Sequence, residues 1–136
     1  SVYSYPSGYS GTGYFALYAG TEGKQGAKVA ELMLQEARRM REQGLTADEF
    51  HRAKEQLKGS YMLGQESTSA RSSAIGRSML MRGYALEEGE MLSRIAGVRM
   101  EDVEGILPYV LDETRMVAAV VGRQAVHEPI RQALNM

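Results

Sequence analysis

The chain has 136 residues, of which 43% are hydrophobic and 24% charged, and its formal net charge at pH 7 is −1. This length and composition are those of one ordinary globular domain, and the balanced charge gives no general attraction to nucleic acid or to an anionic membrane. The chain has no cysteine, which excludes disulfides and thiolate chemistry, and no apolar run approaches the roughly 20 residues of a membrane span.

Two segments near the start of the chain, Val2–Tyr5 and Thr12–Ala19, are rich in tyrosine, phenylalanine and valine. The stretch between them, residues 6–11, contains one proline and two glycines. Two runs of this kind around a turn-rich stretch predict a β-hairpin.

The first helix is predicted from about Lys24, where the apolar period becomes helical. It ends at Gly44, which can adopt the left-handed conformation that closes a helix. Its predicted apolar stripe consists of Val29, Met33, Ala37 and Met40.

A capping box is predicted at Thr46 and Glu49, with Leu45 and Phe50 at the positions of a hydrophobic staple. A second helix therefore begins just after Thr46. The apolar stripe predicted for it consists of Phe50, Ala53, Leu57 and Tyr61.

A patch of hydroxyl residues interrupts this pattern, and we expect a kink or break near Ser67–Ser69. One of those hydroxyls should cap a third helix that runs through Arg82 and is closed by Gly83. Two shorter helices are predicted at Leu86–Ala96, ended by Gly97, and at Glu101–Leu111. In the latter, Glu101 and Asp102 suit the positive end of the helix dipole and Pro108 is a kink or an early end.

The run Met116–Val121 is continuously apolar and predicts a strand buried on both faces, ended by Gly122. Residues 123–136 are a tail to which the sequence assigns no regular structure. The predicted order is β-β-α-α-α-α-α-β. This is an α+β fold, a two-layer sandwich with a mainly antiparallel sheet covered by helices.

Several groups of residues carry a possible chemistry, and each has a structural interpretation beside it. Gly20–Gln25 follows a strand and opens a helix as a phosphate loop does, but Tyr18 and Gln25 stand where that motif needs glycine and Ser/Thr, which favours a simple connector. Gly8, Gly11 and Gly13 lie between two strands, which indicates hairpin flexibility.

His51 and Glu55 are four residues apart on one helix, and the other histidine, His127, lies in the tail. A zinc site needs about three protein ligands, so a solvated His51 paired with Glu55 is the interpretation and no metal is assigned to this chain. The basic residues Arg38, Arg39 and Arg41, with Glu36 and Glu42 beside them, are interpreted as a solvated helix face.

The hydroxyls of residues 67–73 have no His or Lys placed as a base in the sequence around them, which gives nucleophilic catalysis no support. A group of five tyrosines could present an aromatic surface to a peptide, although packing of the hairpin explains most of them equally well. These are Tyr3, Tyr5, Tyr9, Tyr14 and Tyr18.

Several stretches, in this order, resemble the C-terminal domain of the pitrilysin/insulinase family of zinc metallopeptidases, with the bacterial processing proteases and mitochondrial processing peptidase as the most similar branch. They are residues 1–10, Gly13-Tyr14-Phe15, Tyr18–Thr21, Arg52–Gly59, Glu66–Ser69, Ile75-Gly76-Arg77, Arg82-Gly83 and Met116–Gly122. The resemblance covers residues 1–122, interpreted as a C-terminal subdomain, with residues 123–136 as a tail.

The resemblance implies that the family's zinc site, an inverted HxxEH motif with a distal glutamate, lies in an N-terminal domain, and residues 1–136 contain no such motif. The family's substrate-contacting Arg and Tyr lie on an R-x6-Y segment that would end just before Ser1. We therefore expect a C-terminal fragment of a zinc-dependent peptidase, an incomplete half of its clamshell. Its role would be to form part of the substrate-enclosing chamber, without being catalytic alone.

This interpretation assigns no catalytic, metal-ligating or substrate-binding residue and no cofactor to this chain, and it implies zinc for the parent. The expected partners are the N-terminal zinc-binding domain of the same protein, a peptide substrate and a possible homo- or heterodimer, without nucleic acid or membrane, in a bacterial cytoplasm. The alternative is a non-catalytic family subunit that acts as a peptide-binding or scaffolding partner in a heterodimer. A third possibility is an unrelated α+β interaction domain.

Overall fold

The computed structural model describes residues 1–85 and 87–135. The chain divides into two compact units, Ser1–Gly44 with Gly105–Met136, and Leu45–Glu104. None of the helices in the described part of the chain is both long and apolar enough to cross a membrane.

The first unit opens with the predicted hairpin, formed by β1 (Val2–Tyr9) and β2 (Thr12–Ala19) in antiparallel pairing. Val2 lies opposite Ala19 and Tyr9 lies opposite Thr12. Only Ser10 and Gly11 remain for the turn, and Gly11 has a φ of 79°, a conformation that favours glycine. The hairpin is confirmed, but β1 is four residues longer than predicted and includes Pro6.

The hydrogen-bonding pattern of the ladder explains why Pro6 is tolerated inside β1. Ser1 and Gly20 exchange two backbone bonds, of 2.9 and 2.8 Å between nitrogen and oxygen. Since bonded and non-bonded pairs alternate along an antiparallel ladder, Pro6 and its partner Phe15 form a non-bonded pair. The N–H that proline lacks would have pointed away from β2, so no ladder bond is lost.

The helical part of the first unit is built on α1 (Gly26–Gln43), which follows a 3₁₀ turn at Gly23–Gln25. A Cβ atom on Gly26 would lie 2.9 Å from Ile130, so glycine lets another helix approach closely at this point. Ala30 and Leu34, one and two turns further on, are buried. The predicted stripe of α1 (Val29, Met33, Ala37 and Met40) is only half-buried.

The tail forms the helix that packs on α1. It contains a 3₁₀ turn at Gln124–Val126 and α6 (His127–Ala133). Contact with this helix explains why the buried residues of α1 are centred on Ala30 and Leu34, which lie beside the predicted stripe.

The second unit contains α2 (Ala47–Gln65), α3 (Thr68–Arg82) and α4 (Glu88–Gly97), and α5 (Met100–Val110) begins in it. The predicted start of α4 at Leu86 lies outside the described residues, and the helix continues through Gly97 instead of ending before it. Pro108 lies inside α5, and Glu101 and Asp102 occupy its first turn as predicted.

The helix boundaries at Thr46, Ser67 and Gly83 are confirmed. Thr46 and Glu49 form the capping box, with the Glu49 N–H donating to Thr46 Oγ1 at 3.2 Å and the Thr46 N–H donating to the Glu49 carboxylate at 2.8 Å. The Ser67 hydroxyl accepts from the Ala70 N–H at 3.2 Å, and Gly83 is left-handed. Gly44 ends α1 as predicted with a φ of 68°, but its ψ of −155° is not that of the left-handed helix.

The apolar stripe predicted for α2 is wrong in part, because Ala53 and Leu57 are exposed. The half-buried positions in the later turns of α2 are instead Lys54, Lys58, Tyr61 and Gln65. Lys54 explains part of the shift, since its ammonium donates to the carbonyls of Ala96 and Val98 at 2.6 and 2.7 Å and so caps the end of α4.

The α+β class and the order of a hairpin followed by helices are confirmed. The strand predicted at Met116–Val121 is wrong: this run forms no strand, its residues from Val117 onward make no backbone hydrogen bond within the described chain, and Val117 and Val121 are 90% and 102% exposed. The physical reason is its location. Ala118 and Val120 line a shallow groove with Ile130 of α6 and are not paired with the hairpin.

Candidate functional site

The five tyrosines of the hairpin form one continuous aromatic face. The strand register places residues 3, 5 and 9 of β1 on the same face as residues 14 and 18 of β2. Tyr3 and Tyr18 are stacked with ring centroids 4.6 Å apart, and Tyr5 meets Tyr14 edge-on at 6.3 Å. Tyr3 to Tyr5 and Tyr9 to Tyr14 are 6.1 and 6.4 Å apart, so the face is unbroken from end to end.

This tyrosine face is open to solvent and uncharged. Its members are between 42% and 61% exposed, and residues 1–21 contain no Asp, Glu, Lys, Arg or His. Both interpretations that the sequence leaves open apply in part, because the rings pack on one another along the hairpin and about half of their surface stays exposed. The hydroxyls can donate and accept hydrogen bonds and the rings can pack on apolar groups, so the face is suited to non-covalent contact with a polypeptide.

His51 and Glu55 do not form the pair that the sequence suggested. Glu55 accepts a hydrogen bond from Lys58 at 2.6 Å, and this contact, with smaller electrostatic effects of His51 and Lys54, lowers the pKa of Glu55. In the part of the chain that the structure describes, no three His, Asp or Glu side chains come together in a group that could hold a metal ion.

The basic cluster on α1 is not only a solvated face. Arg38 donates from Nε and Nη2 to the two carboxylate oxygens of Glu113, at 2.7 and 2.6 Å, in a part-buried bidentate pair. These bonds lower the pKa of the Glu113 carboxyl, with a smaller contribution from Arg41. The pair fastens the 3₁₀ turn Glu113–Arg115 to α1.

Asp112 continues this fastening on the other side of the turn. Its carboxylate accepts from the backbone N–H and the hydroxyl of Thr114, at 3.0 and 2.8 Å, which lowers the pKa of Asp112. The contacts of Arg38, Glu113, Asp112 and Thr114 are made within the protein, which indicates a structural role for these four residues.

The remaining sequence candidates have ordinary roles in the structure. Gly20 pairs with Ser1 at the end of the ladder, and the Gln25 N–H donates to the Glu22 carbonyl in the turn before α1, as in a simple strand-to-helix connector. Ser67 is the cap of α3. Sequence reasoning missed Arg38 with Glu113 and Lys54 with the end of α4, because the partners are 75 and at least 42 residues apart and no local signal joins them.

Comparison with known proteins shows which family the chain resembles. Residues 1–57 match the sequence profile described as the peptidase M16 inactive domain. The chain is 41% identical over 122 residues to an uncharacterized zinc protease of Streptomyces coelicolor, covering 90% of this chain and 26% of that protein. It is 32% identical over 120 residues to an uncharacterized zinc protease of Bacillus subtilis, covering 88% of this chain and 29% of that protein.

A third relative comes from a eukaryote. The chain is 30% identical over 125 residues to a probable mitochondrial-processing peptidase subunit beta of Schizosaccharomyces pombe, covering 90% of this chain and 26% of that protein. The chain thus spans between a quarter and a third of the length of these relatives.

Proposed function

Because this chain belongs to the peptidase M16 family of zinc proteases, we propose that it is a structural segment of a zinc-dependent metallopeptidase that hydrolyses peptide bonds. The observation that supports this most is the match to zinc proteases over about nine-tenths of the chain. The zinc and its general base would belong to another part of the same protein. Zinc there would activate a water molecule for attack on the peptide carbonyl.

The segment's own role in this proposal is to form part of a chamber wall around a peptide. The tyrosine face supports contact with a polypeptide, because it is aromatic, uncharged and about half exposed. Arg38 and Glu55 are engaged in ion pairs and Ser67 in a helix cap, which supports a structural role for these residues. Its partners would be the zinc-binding domain of the same protein and the peptide substrate.

The complete reading frame that encodes residues 1–136 tests this proposal. We expect an HxxEH motif with a distal glutamate upstream, and an R-x6-Y segment that ends next to Ser1. The purified full-length product should cleave an unfolded peptide, lose this activity in a chelator and regain it with zinc. A frame with neither motif would refute the proposal.

A non-catalytic subunit of the same family is the second candidate function. One of the relatives is named as a subunit, the probable mitochondrial-processing peptidase subunit beta. A reading frame with the R-x6-Y segment but without HxxEH, whose product binds a peptide and does not cleave it, would favour this candidate. The relatives from Streptomyces coelicolor and Bacillus subtilis support a bacterial protein, and we propose the cytoplasm as its compartment.

A further inference from the structure

Helix α3 differs from the other long helices of the chain in its charge. Between Thr68 and Arg82 it carries three arginines and no Asp or Glu, whereas α1 and α2 mix both signs and α5 carries only acidic residues. All of its residues except Ser78 are exposed. The helix therefore presents uncompensated positive charge to solvent.

The three arginines of α3 also lack the ion pairs that two arginines on neighbouring helices make. Arg52 pairs with Asp48 at 2.9 Å and Arg94 pairs with Glu90 at 2.8 Å in the same unit. Arg71, Arg77 and Arg82 make no ion pair or side-chain hydrogen bond with any described residue. A guanidinium with no carboxylate of its own is available for one on a partner.

Two of these arginines bracket an apolar stripe. Arg71, Ile75, Met79 and Arg82 are spaced by four, four and three residues, which places them along one face of the helix. Ile75 and Met79 are 46% and 49% exposed. Arg77 projects from the opposite side, since two helical positions separate it from both Ile75 and Met79.

We propose that this face, Arg71–Ile75–Met79–Arg82, binds an extended peptide whose two carboxylates flank apolar residues. Arg82 lies eleven positions after Arg71 along the helix, a rise of about 16 Å. An extended peptide advances about 3.3 Å per residue and points alternate side chains to opposite sides, so only carboxylates an even number of positions apart can both face the helix. A spacing of four positions spans about 13 Å, and the long arginine side chains can make up the difference from the rise of about 16 Å. The apolar residues between those carboxylates would pack on Ile75 and Met79, the latter a flexible side chain that adapts to different partners.

Charge complementarity favours a peptide over an anionic membrane. Exposed carboxylates lie just beyond both ends of the helix, Glu66 before Ser67 and Glu87 and Glu88 at the start of α4. They would repel a uniformly anionic surface, whereas a peptide with two carboxylates can meet the arginines alone. The inference rests on the proposed function and names the class of peptide that the chamber would hold.

The test is peptide binding by the full-length protein, kept in chelator so that no cleavage occurs. The probe is a fluorescently labelled eight-residue peptide with glutamates at positions 2 and 6 and leucine or alanine between them. Arg71→Gln and Arg82→Gln should each weaken binding about two- to fivefold, as expected for an exposed ion pair. Arg77→Gln, on the other side of the same helix, is the matched control and should leave the affinity unchanged.

A second probe carries glutamines at positions 2 and 6, and a third carries the glutamates side by side. Both should bind more weakly than the first, and the affinity for the first should fall with added salt. Equal binding of the three probes, equal effects of the three arginine variants, or binding of vesicles of phosphatidylcholine and phosphatidylglycerol in place of the peptides would overturn the inference. Because binding is measured without active zinc, its failure is separate from failure of the proposed peptidase activity.

Discussion

Replacing Lys54 by methionine should destabilise the protein much more than an exposed lysine usually does. The ammonium is the only group that the structure places on the carbonyls of Ala96 and Val98 at the end of α4, within the described chain. It also lies 5.5 Å from the centre of the Phe50 ring. Methionine keeps the apolar stem and removes only the charge and its donors.

The magnitude follows from these contacts. A hydrogen bond to a charged group contributes about 1.5–3 kcal/mol when it is well buried, and partial exposure lowers that figure. Two such bonds at a half-buried lysine should therefore contribute about 2 kcal/mol together. With a urea m-value of about 2 kcal/mol/M, Lys54→Met should lower the unfolding midpoint by about 1 M.

The assay is urea unfolding followed by circular dichroism, with Lys58→Met as the matched control. Lys58 lies one turn further along α2 and, among the described residues, pairs only with the exposed Glu55, so its loss should cost less than about 0.5 kcal/mol. Lys54→Arg should keep most of the wild-type stability, since a guanidinium can still donate to the carbonyls. Equal midpoints for Lys54→Met and Lys58→Met would refute the idea that Lys54 caps α4.

Three further outcomes follow from features of the fold. Thr46→Ala should lower the free energy of unfolding by about 1 kcal/mol in the same urea assay, because it removes the cap of α2, and no change would contradict the role of the cap. The pKa of Glu113 is lowered by Arg38, so its contribution to stability is present above the ordinary glutamate range and is lost as pH falls through the lowered pKa. Arg38→Gln should therefore flatten the acid limb of stability against pH, and parallel profiles for the two proteins would exclude this linkage. Residues 1–136 alone should self-associate through the hairpin in sedimentation velocity, and Leu17→Lys should reduce the association, whereas a salt-independent monomer at all concentrations would count against it.

Local signals in the sequence predicted local structure well. The caps at Thr46 and Ser67 and the helix end at Gly83 depend on residues three or four positions apart, so their chemistry is visible in a short window. The position of the hairpin turn was predicted less accurately, because Pro6 was placed in the turn and not in β1. A strand accepts proline only at a non-bonded pair, and the register of the whole ladder decides whether Pro6 falls on one.

Features that depend on distant partners could not be predicted. The apolar composition of Met116–Val121 is that of a buried strand, but a strand also needs a neighbour with free backbone groups, and composition carries no information about that neighbour. The same limit applies to Arg38, whose helix-face surroundings resemble those of Arg39 while its partner lies 75 residues away. The lack of ion pairs at the α3 arginines could not be predicted either, because it depends on where the folded chain places its carboxylates.

Any surface that covers the largely exposed run Val117–Val121 must provide hydrogen-bond partners for its backbone. Residues 117–121 make no backbone–backbone hydrogen bond within the described chain, and Val117 and Val121 are almost fully exposed, so water can reach their peptide groups. A purely apolar cover would remove that water and leave each amide and carbonyl unsatisfied, at about 1–3 kcal/mol for every group. The exposed valine side chains favour burial by an apolar partner, but the backbone groups beside them need hydrogen bonds. A partner that covers this run must therefore supply donors and acceptors at the spacing of a β-strand. Hydrogen bonding to the backbone, more than hydrophobicity, therefore determines which partner can bind residues 117–121.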